Sequence, residues 1–215
     1  MKWDFKKLNK LSKTKKLPDS KVYQKALVWK REIVLFHSEQ STIVWDKLFC
    51  AHQKLIVGDK KWWDTHIASE AHIIAAAQAL HSMADIIGQI INQVLLCGAL
   101  PENKVTLYNV LCELNKKAIA PNILTKVTKF KNSTEFEYID AFVNITKHRR
   151  VLDTNSHAEY GPDKRNNQGI LFKNFIYRNK KFPTTWAKDI VGPYRAKIFK
   201  DICDIGNSIN SYISI

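Results

Sequence analysis

The stretch from Ile73 to Ala99 is the longest apolar run of the chain, and His81, Asp85, Gln89, Asn92 and Gln93 interrupt it. Polar residues recurring every three or four positions on an apolar background predict a helix with most of its surface buried. No eighteen consecutive apolar residues occur, so the stretch reads as a core helix rather than a membrane span. With 215 residues, 45% of them hydrophobic and 11% aromatic, the chain can bury a sizeable core.

The other segments follow the same period. Pro18, Asp19 and Ser20 form a helix start, and Val22, Ala26, Trp29, Ile33 and Phe36 continue at helical spacing. That helix is expected to run to about Val57 and to stop at Gly58 and Asp59. The central helix is expected from about Asp64 to Gly98, a third from Asn103 to Ala118, and a connection or short helix over residues 122–132. A fourth is capped by Ser133 or Thr134, carries acids in its first turn, and runs to about Leu152. Residues 153–169 are rich in Asp, Asn, Ser, Gly and Pro and read as a loop. Phe172, Phe175, Tyr177, Phe182 and Trp186, around the polar turn Arg178 to Lys180, predict a β-hairpin. Gly192 and Pro193 open a last helix. The expected fold is mainly α, a helical bundle with a small β-hairpin before the C-terminal helix. Residues 1–18 form a basic arm, and residues 19–215 one helical domain with the hairpin inserted near 169–187.

Charge is distributed unevenly. Residues 1–30 hold ten Lys/Arg against two acids, residues 31–143 eleven against twelve, and residues 144–200 thirteen against four. The last fifteen residues hold two acids and no base. Two basic flanks around a neutral middle favour a polyanionic partner, RNA or other nucleic acid, although solvating lysines account for part of the excess. The basic N-terminus is followed by no apolar region or cleavage site, so no secretory signal is expected. Cys50, Cys97, Cys112 and Cys203 form no CxxC pair. They read as free thiols buried in a protein of the reducing cytoplasm, with no metal and no membrane association.

Two polar rows stand out. Gln78, His81, Asp85, Gln89 and Asn92 share one stripe of the central helix, where Asp85 can fix the His81 tautomer. The stripe is short of Lys and Glu for a solvent face, which keeps a buried polar site or seam alongside the plain surface reading. Asp140, Asn144, Lys147 and His148 share a face of the fourth helix and run into Arg149 and Arg150. His148 beside cations stays neutral more readily and can serve as a base. The plainer reading is a basic helix C-terminus that complements the macrodipole. If both rows are buried they should meet, Asp85 pairing with Lys147 or His148 and Asn144 with Gln89 or Asn92.

Trp62 and Trp63 beside Lys60 and Lys61, and the hairpin with Lys173, Arg178, Lys180 and Lys181, can stack on bases and pair with phosphates, or simply pack. Walker A, GxGxxG, HExxH and GxSxG patterns do not occur, so P-loop hydrolysis, dinucleotide chemistry and zinc proteolysis have no support and no cofactor is expected.

A polar row on one long helix, followed by a late helix bearing Asn144, Lys147, His148, Arg149 and Arg150, resembles HEPN-type domains over roughly residues 60–155. These are helical bundles of prokaryotic toxin, phage-defence and RNA-processing systems. The resemblance implies metal-independent RNA cleavage in a cleft shared by a homodimer, with a cognate antitoxin or other partner protein. Catalytic members carry Arg, then four to six residues, then His. Arg150 and His157 match that spacing, whereas Asn144 stands where an Arg would precede His148. By resemblance, His148 or His157 is the acid or base, and Arg150 or Lys147 steadies the phosphate charge, with Asn144 and Asp85 beside them. Arg149, Arg150, Lys173, Arg178, Lys180 and Lys181 form the nucleic-acid contact. The alternatives are a non-catalytic HEPN-like RNA-binding or regulatory module, and an unrelated helical nucleic-acid-binding protein.

Overall fold

A computed structural model describes residues 2–50, 60–159 and 167–215. The fold is mainly α, with a small antiparallel strand set before the C-terminal helix. Its helices are α1 (Phe5–Thr14), α2 (Lys21–Cys50), α3 (Lys60–Val94), α4 (Leu107–Lys116), α5 (Pro121–Lys131), α6 (Thr134–His148), α7 (Ala187–Asp189) and α8 (Arg195–Tyr212). A π-helical turn, Ile190–Tyr194, containing Pro193, joins α7 to α8. The strands are β1 (Thr154–Glu159), β2 (Asn167–Phe172), β3 (Phe175–Tyr177), β4 (Lys180–Phe182) and β5 (Thr185–Trp186). The expected stop at Gly58 and Asp59 lies outside the described residues.

The chain forms two compact units. The first holds residues 1–31, 80–137 and 196–215. Its core takes Leu80, Ile87 and Ile91 from α3, Val110 and Leu114 from α4, Val127 and Phe130 from α5, and Ile198, Ile205 and Ile209 from α8. The N-terminal residues are part of it. Asp4 accepts a hydrogen bond from the Lys7 amide and caps α1. Trp3 is buried, its indole N–H donating to Asn210 while the Asn210 amide donates to the Asp4 carbonyl. Gly206 leaves room for that indole: a Cβ there would run into the ring.

The second unit holds residues 32–79 and 138–195. Tyr138 and Phe142 of α6 gather Phe172, Phe175, Phe182 and Tyr194 around them in edge-on ring contacts. β2 pairs with β1 on one side and with β5 on the other, all antiparallel, and Thr154 lies opposite Phe172. β3 and β4 form a separate hairpin.

Three expectations change here. The segment expected as a loop over residues 153–169 carries β1 and the first half of β2. Its polar composition hid the strand because the inward face of β1 is itself polar. The fourth helix stops at His148, so Arg150 lies beyond it. Cys97 and Cys112, expected to be buried, are exposed. Cys97 sits just past α3 with φ 53°, in the turn that ends the helix, and Cys112 lies on the outer face of α4. α3 is long and apolar enough to cross a membrane, but 56% of its apolar window is buried within the fold.

Candidate nucleic-acid interface

In the second unit, Lys147 and His148 end α6, and Arg149 and Arg150 continue the chain in one further turn whose amides bond to the Ile145 carbonyl. All four side chains are exposed. The β3–β4 turn brings a second basic group to the same place. The Arg149 guanidinium carbon lies 5.1 Å from the centre of the Tyr177 ring and that of Arg178 5.0 Å from it. The two cations are therefore within about 10 Å of each other, a Debye length at 0.1 M salt, so their repulsion is not screened away. Tyr177 is itself buried. Lys173, Lys180 and Lys181 are exposed on the same short segment, and Lys180 also lies over the Phe182 ring. An anion placed against this surface relieves the repulsion that the ring contacts hold in place.

Arg178 carries a second signal. It and Asn179 form the two-residue turn between β3 and β4, with φ of 49° and 62°. Two positive φ values make a type I′ turn, which favours Asn, Asp and Gly. An arginine in the first of these positions costs backbone energy, and such strain is tolerated where the side chain has a use.

The other predicted site residues are placed as follows. Asn144 is half-buried and bonds back to the Asp140 carbonyl and carboxylate within α6. The backbone of His157 is in β1 opposite Gly169, and its side chain lies outside the described residues. Arg150 thus lies past the end of α6 while His157 is in β1, so the two do not share a helix. Asp85 accepts from the Leu107 amide at 3.0 Å and holds the N-terminus of α4, where pairing with Lys147 or His148 was expected. Its stripe neighbours serve the same connection: Gln89 donates to the Glu102 carbonyl, and buried Asn92 both donates to and accepts from the Leu100 backbone. His81 stacks on Phe136, and Gln78 is exposed.

A second polar cluster in this unit escaped the sequence reading. His66 of α3 is buried, with Nδ1 3.1 Å from the Ser156 hydroxyl and Nε2 3.1 Å from the Thr154 hydroxyl. Thr154 donates to Glu70, one helical turn on from His66. That donation fixes the rest. His66 donates from Nε2 to Thr154, and its Nδ1 accepts from Ser156. Burial pushes the His66 pKa down and the Glu70 pKa up. Trp62 stacks on the imidazole, which assigns it to packing. The i, i+4 spacing of His66 and Glu70 is the available sequence signal, but both hydroxyls come from β1, in a segment whose composition is that of a loop. His37 and His72 form another pair, their Nδ1 atoms 2.9 Å apart across α2 and α3.

Among the described residues, no group of three or more His, Cys, Asp or Glu side chains is arranged to hold a metal ion. No family model, curated protein or solved structure matches the chain.

Proposed function

We propose that this chain is an HEPN-like, nucleic-acid-associated module that holds the phosphate backbone of RNA on the basic surface of its second unit. The observation that carries the reading is the pair Arg149 and Arg178, both set against Tyr177, one of them in a strained turn. Arg150, Lys173, Lys180 and Lys181 widen the contact, and Lys147 and His148 border it. Such contacts supply affinity without sequence choice and weaken steeply with salt.

The non-catalytic form of the reading is favoured over the endoribonuclease. Arg150 lies past the end of α6 and His157 in β1, and Asn144, in place of a motif arginine, is engaged with Asp140. The cytoplasm is the compartment this reading implies, since RNA is found there and Cys97, Cys112 and Cys203 are free thiols.

The test is binding of a fluorescent RNA by the wild type and by an Arg149→Ala/Arg178→Ala double variant, together with a cleavage assay in EDTA. Salt-sensitive binding that the double variant loses, with intact RNA, is expected. Metal-free cleavage abolished by His148→Ala would replace the binding module with the enzyme.

A further inference from the structure

Burying an imidazole requires a partner for each ring nitrogen, and the partners that His66 has are not equivalent. His66, Glu70, Thr154 and Ser156 all belong to the second unit. The Glu70 carboxylate takes the Thr154 proton at 3.2 Å, which leaves the Thr154 oxygen to accept from His66 Nε2 at 3.1 Å. Glu70 itself lies 3.6 Å from Nε2. Nδ1 therefore carries the lone pair, and the group facing it at 3.1 Å is the Ser156 hydroxyl. Serine, imidazole, threonine and carboxylate form one directed line, in which every proton is donated away from Ser156 and toward Glu70.

An alcohol whose proton is shared with a neutral, oriented imidazole is an activated nucleophile. The separation of Ser156 and His66 is within the reach of proton transfer. Burial holds the His66 pKa below the ordinary 6.5, so the ring is a free base in neutral solution. Ser156 is half-buried, which leaves part of it open to a small reagent. The exposed surface beside the imidazole is apolar. Trp63, 51% exposed, meets the His66 ring edge-on with centroids 6.0 Å apart, and Ile67, 59% exposed, lies one turn farther along α3. A short apolar acyl group fits that surface.

We propose that Ser156 is a nucleophile toward carboxylic esters of short apolar acids, with His66 as its general base and Thr154 and Glu70 as positioning residues. Ser156 Oγ bonds to the ester carbonyl carbon while its proton passes to His66 Nδ1. The bond from that carbon to the alkoxy oxygen breaks, and the alcohol leaves with the proton. Water then attacks the acyl-serine and gives a proton to Nδ1, and Ser156 recovers it as the carboxylic acid departs. Arg149 and Arg178 take no part, so this activity stands apart from RNA binding.

Treatment of the full chain with a small alkyl fluorophosphonate, followed by mass mapping of the adduct, tests the proposal. The folded wild type should carry a single adduct, on Ser156, and the chain unfolded in urea should carry none. Folded His66→Gln should be labelled about 100-fold more slowly. Thr154→Val should also slow labelling, and Thr154→Ser, which keeps the hydroxyl, should restore it. The wild type should hydrolyse p-nitrophenyl butyrate and Ser156→Ala should not. A folded wild type without an adduct on Ser156 would overturn the proposal. So would a folded His66→Gln labelled at the wild-type rate, or ester hydrolysis that survives Ser156→Ala.

Discussion

Arg178 has two roles that pull in opposite directions. Its backbone is in the left-handed region, which favours Asn, while its guanidinium shares Tyr177 with Arg149. Arg178→Asn should therefore stabilise the hairpin by about 0.5–1 kcal/mol and weaken RNA binding several-fold. Thermal melts and a binding titration on the same protein check both signs. His66 makes a different prediction. Its folded pKa is lowered by burial from an ordinary value of 6.5, so the unfolded chain binds the proton first as pH falls. The stability that neutral His66 contributes is complete above pH 6.5 and is lost as pH falls below it toward the folded pKa. The raised Glu70 pKa acts the other way, since stability recovers as pH falls toward 4.5. His37 is lowered too and adds to the His66 effect. His66→Gln should therefore flatten the fall in melting temperature as pH drops below 6.5. An unchanged slope would assign that fall to other groups.

Between elements, the side chains that looked most like chemistry turn out to hold connections. Asp85, Gln89 and Asn92 tie α3 to the segment that leads into α4. Asn92→Leu removes both partners of the Leu100 backbone and should cost about 2 kcal/mol or more. Asp85→Ala loses one bond at a helix N-terminus and should cost about 1 kcal/mol. Gly206→Ala drives a methyl group into the Trp3 indole and should cost about 1–3 kcal/mol, read as a lowered melting temperature. The long helices are legible because their apolar residues recur at 3.6 and Ser133 is an ordinary cap, whereas the caps of α1 and α4, Asp4 and Thr106, emerge only in the structure. β1 was not legible, because a strand announces itself by alternation of apolar and polar residues, and Thr154 and Ser156 put hydroxyls on the inward face. The stripe on α3 is legible as a row, but residue types leave it open between surface and buried site, because the partners of Asp85, Gln89 and Asn92 are backbone groups that no pattern of residue types reveals. Trp62 was read both as a base stacker and as an anchor, and its contact with His66 decides for the anchor.

At the scale of the whole molecule, the net charge of +14 is the feature with the clearest functional consequence. The sequence places its excess on two flanks, residues 1–30 and 144–200. In the second flank the fold brings the end of α6 and the β3–β4 turn to one aromatic ring, a convergence that residue spacing alone could not foretell. Arg149, Arg150, Lys173, Arg178, Lys180 and Lys181 had all been singled out as nucleic-acid contacts, but nothing in their order predicted Tyr177 as the residue that Arg149 and Arg178 share. The central claim is that this surface binds RNA by its phosphates. Measuring affinity for one RNA across a series of salt concentrations tests it directly, since each phosphate neutralised on a single strand contributes about −0.7 to the slope of log affinity against log salt. The wild type should show a steep negative slope, and Arg149→Ala/Arg178→Ala should lower its magnitude by roughly 1.4. A flat wild-type response, or a double variant with the wild-type slope and affinity, would contradict the account.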